Sequence, residues 1–270
     1  MTLLTFIWHA DPELISFGFL KARWYGLLFA TGYIVGYYIM IWIYKKEKLD
    51  VKEVETIFIY TAIGGILGAR LGHILFYDIE LYLENPLEIF YIWHGGLANH
   101  GGAIGILLIM LYYCKKKKYK SYLWIIDRMV IPIALGGMFI RLGNFFNSEI
   151  IGKPTDLPWG IIFEMNPFYS KVPRHPSQLY EALAYLGIFI FLFKYYIFKF
   201  QKIKEGSILG FFLVLIFLVR FLLEFTKENQ VDFENNMFMN MGQVLSIPLV
   251  LLGLWLILRK EKTIKIKEVD

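Results

Sequence analysis

The residues best equipped for chemistry lie together in Arg141-Leu-Gly-Asn-Phe-Phe-Asn-Ser-Glu149-Ile-Ile-Gly152. This stretch sets a guanidinium, a carboxylate, two carboxamides and a hydroxyl among apolar neighbours. The planar fork of an arginine donates two parallel hydrogen bonds, which suits a phosphate or carboxylate. Gly143 and Gly152 let the backbone turn sharply or approach a ligand closely. The plainer alternative is an outer loop in which Arg141 and Glu149 pair only with each other.

Further candidates follow the same logic. Trp93-His94-Gly-Gly-Leu-Ala-Asn-His100-Gly-Gly102 holds two histidines, the side chains that exchange a proton near neutral pH. Its four glycines disfavour a regular helix. Backbone outside a helix is tolerated at membrane depth only where protein or water satisfies it, so a broken or re-entrant segment beside a polar pocket is expected. Arg220 and Glu224 stand at i and i+4 on one helix face. Either they neutralise each other or Glu224 orients Arg220 toward an anionic ligand. Arg70 sits among Gly64, Gly65, Gly68 and Gly72, a small-residue face for close helix packing that turns Arg70 inward rather than toward lipid. Arg174-His-Pro-Ser-Gln-Leu-Tyr-Glu181 reads partly as a helix start, with Ser177 as N-cap. Asp127 and Arg128 read as a local ion pair or as charges on a helix dipole. Tyr25, beside Trp24, Lys21 and Arg23, reads as an interfacial aromatic within reach of a lipid phosphate.

These groups must be held by elements built for lipid. The chain is 57% hydrophobic, 18% aromatic and 19% charged. About 20 apolar residues span a bilayer as a helix, and the chain offers seven such runs, at 18–44, 54–77, 87–114, 123–140, 179–198, 208–225 and 239–258. Ionisable groups inside such runs are costly and mark function by default. Of 28 Lys and Arg residues, 17 fall in the connections after runs one, three and five and in the tail. Lys118, Lys120, Lys262, Lys265 and Lys267 are among them. The positive-inside bias then puts the N-terminus outside and the C-terminus in the cytoplasm. The expected architecture is an all-α polytopic membrane protein of one domain over residues 1–270, with a small extracytoplasmic cap at 141–176. The segment from Leu14 to Trp24 is expected at the outer interface. Residues 1–11 lack a basic leader and a cleavage site, so no removable signal peptide is expected.

Several function classes lose support. The formal charge of +5 comes from the cytoplasmic loops and suits anionic headgroups, not nucleic acid. Cys114 is the only cysteine, which precludes an internal disulfide, and it sits beside a lysine run. No His-Glu-x-x-His metal motif and no Gly-x-Ser-x-Gly elbow occurs, which counts against an intramembrane protease. A lipid or ion transporter with a buried Arg/His/Glu pathway accounts for the intramembrane charges but not for the long outer segment.

Taken together, these stretches resemble the phosphatidylglycerol–prolipoprotein diacylglyceryl transferases of bacteria. The segment 141–152 is similar to that family's signature. The segments beginning at His94, Arg174, Trp24 and Arg220 resemble further family motifs in family order, across essentially the whole chain. Ile140, where a glycine is usual, and Asn99, where a bulky apolar residue is common, depart from the pattern. The resemblance implies transfer of a diacylglyceryl group from phosphatidylglycerol to the lipobox cysteine of a prolipoprotein signal peptide. Glycerol 1-phosphate leaves, no metal or organic cofactor takes part, and the seat is the bacterial cytoplasmic (inner) membrane. It further implies that His100 is the base and that Arg141 and Arg220 hold the phosphate. Tyr25, Asn144, Glu149 and Gly152 match positions at the lipid or headgroup, and Arg70, His175 and Glu224 orient the site or the fold.

Overall fold

The computed structural model describes residues 6–17, 20–117, 121–169, 171–228 and 237–260. Of the lysines that set the expected orientation, Lys118, Lys120, Lys262, Lys265 and Lys267 lie outside the described residues, as do residues 1–5 of the leader expectation. The chain divides into two compact units, one of Met1–Ile39 with Ile126–Asp270, the other of Met40–Ile125.

Eight α-helices occur among the described residues: α1 Trp24–Lys46, α2 Lys52–Phe76, α3 Ile79–Glu84, α4 Asn99–Lys117, α5 Tyr122–Phe146, α6 Ser177–Lys199, α7 Ser207–Leu223 and α8 Met241–Leu258. Six are long and apolar enough to cross a membrane: α1, α2, α5, α6, α8 and α7 with its 3-10 extension to Thr226. The run expected at 87–114 differs. Its first part forms 3-10 turns at Pro86–Phe90 and Ile92–His94, and only from Asn99 does it become the 19-residue α4. That helix starts at Asn-His-Gly-Gly and ends on three lysines, which lowers its apolar character. The chain is thus a helical, multi-pass membrane protein.

Among the described residues four short strands accompany the helices: β1 Phe6–Trp8, β2 Glu13–Phe17, β3 Leu20–Arg23 and β4 Ile161–Phe163. Of the segment expected at the outer interface, residues 18 and 19 lie outside the described residues, and the rest falls in β2 and β3, which pair antiparallel with Glu13 opposite Arg23, and at Trp24, the start of α1. β1 pairs in parallel with β4, Trp8 opposite Phe163. Beneath this pair Phe145, Ile151, Ile161 and Phe163 form a buried cluster joined by Trp8, Tyr169 and Leu179. The Trp8 and Phe145 rings lie 4.3 Å apart, and Trp24 stacks on Phe146 at 4.8 Å. The two phenylalanines of the 141–152 stretch therefore anchor it, and with it the polar residues on either side of them, Asn144 and Asn147.

α7 begins where Asp127 of α5 supplies its cap. The Asp127 carboxylate accepts from the Gly206 amide at 2.6 Å and the Leu209 amide at 2.8 Å, satisfying donors that a helix start leaves open. Asp127 is completely buried, and the neighbouring Arg128 lies over the Tyr196 ring. α7 and α8 approach closely at Gly210 and Gly253, where a Cβ on Gly210 would come 2.8 Å from Ile257. α8 opens with a reciprocal capping box between Asn240 and Gln243.

In the unit of Met40–Ile125, α2 lies directly on α4. A Cβ on Gly72 would stand 2.7 Å from the Gly101 Cα, and one on Gly68 would stand 2.7 Å from the Gly105 Cα. The small-residue face of α2 thus meets the glycines that open α4. Close backbone approach replaces side-chain interdigitation, as van der Waals packing between membrane helices favours.

Candidate active site

Within the larger unit, the Arg141 guanidinium near the end of α5 is held on two sides. Its Nε lies 2.9 Å from Oε2 of Glu181, and its Nη1 donates to Asn144 Oδ1 at 3.2 Å. Asn144 passes the contact on, donating to Glu149 Oε2 at 3.2 Å, while Asn147 donates to Oε1 of the same carboxylate at 2.6 Å. The pairing of Arg141 with Glu149 that the sequence allowed is therefore replaced by a relay through Asn144. Glu149 is aimed by its neighbours: Ser148 and Ile150 both take left-handed backbone, with φ of 52° and 55°. For a β-branched residue such as Ile150 that is a strained conformation, of the kind that gathers at functional sites.

Glu181 is the centre of a buried chain of charges. Its Oε1 accepts from Lys227 Nζ at 3.0 Å, and Lys227 also lies 2.9 Å from Oε2 of Glu224. Glu181, Lys227 and Glu224 are 0%, 2% and 6% exposed in their side chains. The Arg141–Glu181 and Lys227–Glu224 contacts are close charge contacts without hydrogen-bond alignment, since Oε2 of each glutamate accepts no hydrogen bond. A Cβ on Gly242, the second residue of α8, would run into the Glu224 carboxylate, and glycine there leaves it room.

The 3-10 turn Glu224–Thr226 after α7 brings Lys227 beside Glu224 at i+3. The i,i+4 partnership expected of Arg220 and Glu224 is thereby set aside. Among the described residues, no carboxylate stands within ion-pair distance of Arg220. The Tyr185 phenol on α6 lies within electrostatic reach of both Arg141 and Arg220. Tyr25 packs at Gly143, where a Cβ would approach its ring to 2.8 Å.

Gly152 joins three backbone segments. It bridges Lys227 in antiparallel register, its N–H donates to the His175 carbonyl at 3.0 Å, and its carbonyl accepts from Arg174 Nη1 at 3.1 Å. A Cβ there would fall 2.5 Å from His175 and 2.6 Å from Ser177 Oγ. The geometry gives Gly152 the task of letting segments pass, beside the headgroup position its motif implies. His175 faces the Tyr180 hydroxyl at 3.3 Å, which in turn accepts from Trp159 Nε1 at 2.8 Å. The Ser177 hydroxyl meets Thr226 at 3.3 Å, a tertiary contact where the sequence suggested a helix cap.

The smaller unit holds Arg70 and the two histidines. Arg70 is buried, and its guanidinium donates to the carbonyls of Ile89 at 3.1 Å, Gly95 at 2.6 Å and Gly96 at 3.2 Å, and also to Glu88. Its fork shapes the irregular segment ahead of α4. Gly95 and Gly96 take φ of 91° and 71°, and a Cβ on Gly96 would fall 2.7 Å from Arg70 and from His73. A polar cavity of about 320 Å³ lies here, lined by Arg70, His73, Asp78, Tyr82, Glu88 and His94. His73 pairs with Asp78 at 2.9 Å and His94 with Glu88 at 3.0 Å. His100 is exposed in the first turn of α4.

A family profile described as prolipoprotein diacylglyceryl transferase matches residues 12–259. The chain belongs to the prolipoprotein diacylglyceryl transferase family. Relatives named phosphatidylglycerol–prolipoprotein diacylglyceryl transferase include one from Tolumonas auensis, 45% identical over 94% of this chain and 97% of its own length. Another, from Porphyromonas gingivalis, is 46% identical over 97% of both chains. A third, from Chloroherpeton thalassium, is 42% identical over 97% of this chain and 96% of its own.

Within this family member, sequence reasoning passed over Glu181, Tyr185 and Lys227. The signal for Lys227 was present. It is the one basic residue of the connection at 226–240, three residues after Glu224. Glu181 closed a motif that also reads as an ordinary helix start.

Proposed function

We propose that this chain transfers the diacylglyceryl group of phosphatidylglycerol to the thiol of a prolipoprotein lipobox cysteine, releasing glycerol 1-phosphate. The seat is the bacterial cytoplasmic membrane. α4 serves as a seventh crossing, the N-terminus lies outside, and residues 141–176 form an extracytoplasmic cap.

The observation that carries the reading is the way Arg141 is held. Glu181 faces its Nε and Asn144 its Nη1, which fixes the plane of the guanidinium while other N–H groups remain for an anion. Arg220 has no carboxylate partner among the described residues, and its charge complements that role. The phosphate of the lipid sits against these two arginines. As the glyceryl C–O bond breaks, its electron pair leaves on the phosphate ester, and preorganised cations stabilise charge as it develops. The sulfur forms the new bond to that carbon. A free thiol has a pKa of about 8.5 and attacks as thiolate. His100 accepts its proton. The nucleophile belongs to the substrate, so the enzyme needs no cysteine or serine of its own. Tyr25, Asn144, Glu149 and Gly152 shape the headgroup site, His175 and Glu224 orient it, and Arg70 acts through the segment it pins.

The test is transfer of labelled diacylglyceryl from phosphatidylglycerol to a lipobox peptide by purified protein, beside Arg141→Ala. Wild type modifies the cysteine with stoichiometric release of glycerol phosphate, and the variant does not. Absence of transfer by folded wild type overturns the activity. A fully active Arg141→Ala keeps the activity and overturns the phosphate clamp.

A further inference from the structure

Lys227 satisfies two carboxylates that would otherwise compete for the arginines. Glu181 has two oxygens, of which Lys227 holds one at 3.0 Å while the other faces Arg141 Nε. An arginine whose fork is taken bidentately by a carboxylate has lost the geometry that receives a phosphate. Glu224 stands one helical turn beyond Arg220, the spacing at which an acid and a base on one helix ordinarily pair. It lies instead 2.9 Å from Lys227, turned there by the 3-10 geometry of Glu224–Thr226. Main-chain bonds fix the lysine: it bridges Gly152, and the neighbouring Thr226 carbonyl accepts from the Lys153 amide at 2.8 Å. Its ammonium is therefore placed by the cap as much as by the carboxylates.

We infer that Lys227 is a positioning residue for lipid phosphate, drawing Glu181 and Glu224 onto itself so that the forks of Arg141 and Arg220 stay open. This inference rests on the phosphate-clamp reading above. It adds a residue that touches neither the phosphate nor the thiol.

The experiment compares Lys227→Met and Lys227→Arg with wild type, measuring KM for phosphatidylglycerol, KM for the lipobox peptide and inhibition by glycerol 1-phosphate. Lys227→Met raises KM for the lipid and the inhibition constant together, by roughly 10- to 100-fold, the range of a hydrogen bond to a charged group. KM for the peptide stays put, and Lys227→Arg stays near wild type. The double variant Lys227→Met with Glu224→Gln removes the carboxylate freed to close on Arg220, and it recovers part of the lipid KM. A purely structural lysine gives another pattern, with less folded protein, unchanged KM values and no recovery in the double variant. That result overturns the inference. If Lys227→Met does not fold, the double variant, with one buried charge fewer, decides by itself: a raised lipid KM with the peptide KM unchanged supports the inference, because Glu181 is still freed toward Arg141, and two unchanged KM values overturn it. Loss of transfer by wild type is a separate outcome and strikes the activity reading instead.

Discussion

Glu181 on α6 and Lys227 beyond α7 stand 46 residues apart in sequence and meet at 3.0 Å with both side chains essentially removed from solvent. Glu181 also faces Arg141, so one carboxylate balances two buried cations. Removing one member of a buried ionic set leaves an uncompensated charge, which costs about 3–5 kcal/mol. Glu181→Gln keeps the shape and removes the charge. Its expected outcome is a thermal unfolding midpoint in detergent well below wild type, with transfer activity lost. A midpoint equal to wild type would mean that the cluster is not maintained in the bilayer protein.

Gly152→Ala forces a Cβ to within 2.5 Å of the His175 backbone and 2.6 Å of Ser177. Overpacking of this kind costs about 1–3 kcal/mol. Because the segment around Gly152 also carries the Lys227 bridge, the loss of stability is accompanied by a fall in transfer. Both are read by thermal denaturation and the peptide assay on the same preparation.

Gly72→Ala and Gly65→Ala separate close backbone packing from mere small size. The first places a Cβ 2.7 Å from the Gly101 Cα, the second an ordinary 3.5 Å from Ile106. The Gly72 variant lowers the unfolding midpoint and the yield of folded protein. The Gly65 variant matches or slightly exceeds wild type, because alanine is the better helix former by about 0.5–1 kcal/mol.

Asp127→Ala deprives the start of α7 of its acceptor and leaves the Gly206 and Leu209 amides open. Loss of a helix cap costs about 0.5–2 kcal/mol. The expected result is a lower unfolding midpoint with KM unchanged for both substrates, since Asp127 contacts none of the proposed site residues. A changed lipid KM would give Asp127 a share in the site.

Arg70→Lys keeps the charge and loses the fork that reaches several carbonyls at once. Hydrogen exchange over residues 88–96 is expected to quicken in this variant while the backbone around Gly152 keeps its protection. Unchanged exchange at 88–96 would show that the glycine turns hold that segment without Arg70.

The sequence by itself determined the solvent and the chemistry. Long apolar runs require helices in lipid, because only hydrogen bonds closed within the segment satisfy a backbone there. Six of the seven runs read from the sequence are helices of spanning length. The small-residue face of α2 was legible from periodicity, as was irregular backbone at Gly95 and Gly96, whereas Gly101 and Gly102 lie in α4, where their missing side chains let α2 approach. The fitness of the arginine forks for an anion follows from residue type, and the family from motifs in order.

Partnership was decided only by the tertiary structure. A carboxylate eight residues away looks like a partner along the chain, yet Arg141 is faced by Glu181 from another helix and reaches Glu149 through Asn144. Glu224 leaves its i,i+4 neighbour for Lys227 because a 3-10 turn follows α7. Ser177 spends its hydroxyl on Thr226. Local spacing fixes which groups share a face within one element. Which of them neutralise each other depends on electrostatics at a few ångströms, and those distances are set by the packing of segments far apart in the chain.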